Sequence, residues 1–157
     1  MRGSCTHAHR PICCSGAQFY EDVRRLSSHL RGGPLDPFLR DLVEIRASQM
    51  TGCAFCLRLH SRIARTRGVA EAKLDTLAEW RESPDFTEKE RAALGLTESM
   101  TQIGDGARVD PQVWSAAREA FSDDELTSTL YLIGLINVWN RINIAVELPA
   151  DYELPGS

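Results

Sequence analysis

Apolar residues recur at three- and four-residue spacing along almost the whole chain, and no stretch sustains the alternation of a half-buried strand. The one Asp-Gly pair, Asp105-Gly106, has no strand-like alternation on either side, so it reads as a loop and not as a hairpin turn, and there is no Asn-Gly pair. The helices announce their own ends. Thr87 followed by Glu90, and Ser122 followed by Glu125, have the spacing of capping boxes. Asp36-Pro37 and Asp110-Pro111 pair a capping carboxylate with a proline suited to a first turn. Arg31-Gly32-Gly33-Pro34, Thr51-Gly52, Gly68, Ser83-Pro84 and Asp105-Gly106 interrupt the pattern. Helices are predicted over 17–30, 37–50, 53–67, 70–80, 87–103, from 111, and from 123 to 146. The fold class is all-α with about seven helices. The first helix carries Phe19, Val23, Leu26 and Leu30 on one face, and Trp80 and Trp114 lie at spacing expected of core packing.

The 157 residues suit one core. Residues 17–157 read as a single helical domain. Residues 1–16, with Gly3, Ser4, Pro11, Ser15 and Gly16, read as a flexible extension. A net charge of −4, with Arg interleaved among Asp and Glu, argues against nucleic-acid binding, which needs a basic face. The longest apolar run, Tyr131 to Val138, is too short to span a bilayer and carries Asn137. No secretory leader is recognisable, so a cytoplasmic location is expected.

The chemistry concentrates in Leu42 to His60. Gly52 should end one helix, which places Cys53 in the first turn of the next. Free amides and the positive end of the helix dipole there stabilise a thiolate. Cys53, Cys56 and His60 then share a helix face, within a sector of about 60°. One cysteine attacks as thiolate, the other closes a disulfide on the oxidised intermediate, and the histidine takes or gives the proton. Asp41 or Glu44 on the preceding helix is available to orient the ring.

Other uses of a Cys-x-x-Cys pair fit less well. Structural zinc needs four ligands, and the remaining cysteines, Cys5, Cys13 and Cys14, lie with His7 and His9 in the extension, where metal capture would be accidental. Haem attachment needs His where Leu57 stands, and a thioredoxin fold needs strands. Neither a metal nor a cofactor is called for.

Leu42 to His60, above all Arg46-Ala47-Ser48-Gln49, Gly52-Cys53-Ala54-Phe55-Cys56 and His60, resembles the alkylhydroperoxidase D-like branch of the carboxymuconolactone decarboxylase superfamily. Phe86 to Leu94 is similar to that family's second-half helix start, and Asn137-Val138-Trp139-Asn140-Arg141 to part of its last helix. The resemblance implies an all-α fold assembling as trimers or hexamers. It implies peroxide reduction, with electrons returned by a small dithiol or a redox protein. Carried over by position, Cys56 would be the attacking thiolate that becomes a sulfenic acid, Cys53 would resolve it, and His60 would belong to the proton relay. The family usually has Glu twelve residues before the first cysteine. This chain has Asp41 there, one methylene shorter, which is the carboxylate favoured for the relay; Glu44 stays open.

The expectation is a thiol-dependent hydroperoxide reductase. Its alternatives are a dithiol–disulfide exchange or redox-sensing protein, a lactone decarboxylase of the wider superfamily, and an inert helical oligomer. Asn137, Asn140 and Asn143 read as hydrogen-bonding groups between helices or subunits, with Asn140 or Arg141 as alternative pocket residues. The last helix is apolar nearly all round, so it must be central or covered by another subunit.

Overall fold

The computed structural model describes residues 17–103 and 108–153. The expected N-terminal extension and the Asp105-Gly106 loop lie outside the described residues. Among those described there are seven α-helices and no strand: α1 (Ala17–Arg31), α2 (Pro37–Thr51), α3 (Ala54–Arg67), α4 (Glu71–Asp75), α5 (Glu88–Thr101), α6 (Pro111–Ala120) and α7 (Asp123–Ala145). A 3-10 turn, Leu77–Glu79, follows α4. The capping signals act as read. Asp36 accepts the amides of Phe38 and Leu39, Asp110 those of Gln112 and Val113, and both capping boxes are formed.

The predicted helix over 70–80 is instead a five-residue α4 and a separate 3-10 turn. Thr76 separates them. Its hydroxyl bonds back to the Ala72 carbonyl and to Ser83, which gives the chain an alternative to continuing the helix.

The central element is α2, which packs against α3, α5 and α7. Leu39 and Val43 face a core built with Ala93, Leu96, Ala117, Phe121 and Ile133. Leu42 and Ile45 face a second core with Ala64, Leu77, Trp80, Phe86 and Leu94. A third, smaller cluster holds Cys53, Phe55 and Cys56, covered by Leu59, Leu148 and Tyr152. Because α2 is buried on nearly every side, its polar residues must find partners inside the fold.

One packing expectation is corrected, and the apolar face of the first helix is only lightly covered. Trp114 is 41% exposed, because α6 turns only Ala117 fully into the core. The α1 helix packs on α7 alone among the stronger contacts, with Trp139 Nε1 donating to Ser27, so Phe19 and Leu26 stay exposed. In α7, Leu132, Ile133 and Ile136 point inward while Tyr131, Val138, Ile142 and Ile144 face out. No helix among the described residues is long and apolar enough to cross a membrane.

One carboxylate ties α2 and α5 to the 3-10 turn. Glu98 accepts from Arg46 Nε at 2.8 Å and Trp80 Nε1 at 2.9 Å and pairs with Arg81 at 2.6 Å. Burial pushes the Glu98 carboxyl up, but Arg81, Trp80 and Arg46 outweigh it and hold the pKa below the ordinary value. Stability from this group is therefore present above the ordinary carboxylate pKa and is lost as the pH falls through the lowered one. Glu98→Gln should destabilise the fold by about 1–3 kcal/mol at neutral pH. Urea unfolding should show the difference shrinking on acidification; a constant difference would show that the carboxylate charge contributes nothing.

Candidate active site

The α2–α3 turn is made by Gly52, whose φ of 72° lies in the left-handed region where a side chain is strained. Its amide returns to the Gln49 carbonyl and the Cys53 amide to the Ser48 carbonyl, so α2 closes on itself and the chain reverses. Cys53 then stands at the N-cap of α3, one residue earlier than expected. Its sulfur accepts the Cys56 amide at 3.4 Å, the position a serine hydroxyl usually occupies.

Both cysteines are free thiols, each 2% exposed. They behave as one unit. A hydrogen bond from Cys56 lowers the Cys53 thiol to about 7; burial opposes this, and the Cys56 amide and the charge of His60 assist. The same bond, with burial, pushes Cys56 well above the ordinary thiol range, against the pull of Asn143. As the pH rises through about 7 the pair loses one proton and keeps the other between its two sulfurs.

His60, two turns on from Cys53, is buried. Its Nδ1 lies 3.0 Å from Glu44 Oε2. The two atoms are in close approach without the geometry of a directed hydrogen bond. Burial raises the Glu44 carboxyl, but His60, with Arg31 and Arg40 further off, brings its pKa below the ordinary value.

The carboxylate facing His60 is therefore Glu44, which corrects the preference for Asp41. Helices α2 and α3 run antiparallel, so a residue one turn nearer the start of α2 lies beside a later turn of α3. Asp41, 1% exposed, accepts from Arg67 Nε at 2.7 Å. Burial raises its pKa, and Arg67 opposes that rise.

From the sequence Asn143 reads only as a group that bridges helices or subunits. Its side chain donates to the Cys56 sulfur at 3.2 Å. The signal was available as the third member of the Asn137, Asn140, Asn143 series, but nothing in the spacing says which helix end the last member meets. The other two bridge helices as read: Asn137 donates to Thr101 at 2.9 Å, and Asn140 accepts from Ser48 at 3.2 Å. Arg141 bonds to Asn137 within its own helix.

After α7 the chain turns at Glu147, with φ of 55°, and crosses the cysteine pair. The Leu148 amide bonds to the Asn143 carbonyl, Tyr152 meets Phe55 edge-on, and Arg58 donates to the Ala150 carbonyl. Among the described residues no group of three His, Cys, Asp or Glu side chains is placed to hold a metal ion.

The family model for carboxymuconolactone decarboxylases matches residues 17–99. The chain is 38% identical over 107 residues to the uncharacterized protein YdfG of Bacillus subtilis, covering 68% of this chain and 72% of that one. It is 37% identical over 118 residues, 75% of its length, to the uncharacterized protein YnjA of Escherichia coli, and spans 64% of that protein. It superposes with a TM-score of 0.85 and 30% identity on a crystal structure of a protein of unknown function from Agrobacterium tumefaciens, a candidate antioxidant defence protein AhpD. That match covers 92% of this chain and 98% of the other. With this fold, this turn and this dithiol, the chain belongs to the carboxymuconolactone decarboxylase family, in its alkylhydroperoxidase D-like branch.

Proposed function

We propose that the protein reduces hydroperoxides through Cys56 and Cys53. The observation that carries this reading is the coupled free dithiol at the start of α3, with the Glu44–His60 pair one helical turn beyond Cys56. Once Cys53 ionises, near pH 7, it holds the charge and Cys56 keeps the shared proton. Transfer of that proton to the Cys53 sulfur leaves Cys56 as the thiolate, beside the histidine that protonates a leaving oxygen. Attack forms Cys56–S–OH and breaks the O–O bond, and the alkoxide leaves as an alcohol with the His60 proton. Cys53 then displaces the hydroxyl as water, giving the Cys53–Cys56 disulfide. An external dithiol returns two electrons and two protons. In this scheme Glu44 holds the relay histidine and Asp41 serves the fold through Arg67.

Dithiol exchange with protein disulfides uses the same residues but a much larger substrate. Burial of both sulfurs beneath Leu148 and Tyr152 favours a small oxidant, hydrogen peroxide or a short alkyl hydroperoxide, and a small dithiol as donor. A lactone decarboxylase would have no use for the coupled pair. The outward apolar residues of α7, Tyr131, Val138, Ile142 and Ile144, are the surface through which copies of the chain would assemble.

Reduced protein mixed rapidly with hydrogen peroxide should lose two thiols per chain, both in the peptide bearing Cys53 and Cys56. Cys56→Ser should abolish the loss, and Glu44→Gln should slow it by roughly a hundredfold. Thiol loss no faster than that of free cysteine would sink the peroxidase reading.

The strap over the sulfurs should limit access. Removing the Tyr152–Phe55 contact with Tyr152→Ala weakens it by the worth of one aromatic pair. Alkylation of the Cys53–Cys56 peptide should then run roughly two- to tenfold faster. An unchanged rate would show that the strap is no barrier.

A further inference from the structure

We propose that Asn143 is a catalytic residue of this site: a neutral donor whose amide holds the Cys56 sulfur as that sulfur ionises and is oxidised. The inference rests on the peroxidase reading and adds a residue to it from the far end of the chain.

The geometry is specific. Asn143 Nδ2 stands 3.2 Å from Cys56 Sγ, a close approach for a nitrogen donor and sulfur. Two features fix the side chain there. It leaves the last turn of α7, and the main-chain carbonyl of Asn143 accepts the Leu148 amide at 2.9 Å, which pins that turn as the strap folds over. Among the described residues, the polar and titratable groups around Cys56 are Cys53 at the α3 N-cap, His60 further along α3, Glu44 from α2 behind the ring, Tyr152 from the strap, and Asn143 from α7. The Cys56 amide is committed to Cys53. Asn143 therefore supplies Cys56 with the directed N–H that its own helix start gives to the other sulfur.

A neutral thiol is a weak acceptor, whereas a thiolate forms a charge-assisted bond roughly twice as strong. The Asn143 contact is thus worth most when Cys56 carries the charge, which is the state that attacks. That is differential stabilisation of the reactive form. It also counters the bias that leaves the resting charge on Cys53. An amide neither gains nor loses a proton here, so it does not compete with His60 for the leaving oxygen. In the attack Cys56–S⁻ and R–O–O–H give Cys56–S–O–H and R–O⁻, which the His60 proton turns into R–O–H. The sulfur–oxygen bond forms, the oxygen–oxygen bond breaks, and Asn143 stays unchanged.

The test uses a Cys53→Ser background, in which serine still caps α3 and Cys56 is the thiol that remains in its peptide. The pH dependence of Cys56 alkylation by iodoacetamide is measured there, with peptides resolved so that Cys5, Cys13 and Cys14 do not contribute. Adding Asn143→Ala should raise the midpoint by about one pH unit and cut alkylation about tenfold at neutral pH. Asn143→Asp, the same size but anionic, should raise it further, and Asn143→Gln should restore part of the loss. The aspartate variant carries the test if the alanine variant fails to fold. An unchanged midpoint in Asn143→Ala or Asn143→Asp overturns the proposal. Alkylation needs no peroxide, so an inert wild-type protein would refute the peroxidase reading while the midpoint still reported on Asn143.

Discussion

Asp41 and Glu44 lie one turn apart on α2, the helix packed on by α3, α5 and α7. Carboxylates in such a place cost several kcal/mol each unless a cation or donor meets them. Both find their partners on α3: Arg67 takes Asp41 and His60 takes Glu44. Two contacts, two turns apart along α3, fix both its register and its rotation against α2. With that fixed, the reversal at Gly52 has one place to fall, and the first residue of the returning helix is Cys53. The position of the dithiol thus follows from where α2 buries its charges.

The same reversal sets the electrostatics. A thiol at a helix N-cap faces free amides, and a second thiol three residues on can donate to it. Neither sulfur then ionises independently. The rest of the site surrounds that shared proton: the Glu44–His60 pair on the α2 side, Asn143 from α7, and the Leu148–Tyr152 strap above. Each comes from a different part of the chain, so these groups meet only when α7 and the segment after it have docked.

Much of this was legible in the sequence because helices declare themselves locally. Capping boxes at Thr87 and Ser122 and the Asp-Pro starts at 36 and 110 act through residues three apart, so their meaning does not depend on the rest of the fold. The Cys53, Cys56, His60 face is legible for the same reason. What depends on packing was not. Choosing between Asp41 and Glu44 requires the offset between antiparallel helices, which neither helix encodes alone. The exposure of Trp114 and Phe19 follows from how few neighbours α6 and α1 have, although both helices carry amphipathic patterns. Asn143 meets a sulfur 87 residues away, and nothing local to it records that meeting.

At the centre of this site, above about pH 7, Cys53 and Cys56 hold one proton between them, in a place set by the buried charges of α2. Alkylation of the wild-type Cys53–Cys56 peptide as a function of pH addresses it directly. Cys53 should be modified with a midpoint near pH 7, while Cys56 should resist until well above the ordinary thiol range. Two cysteines titrating independently, both near 9 as unperturbed thiols do, would contradict it.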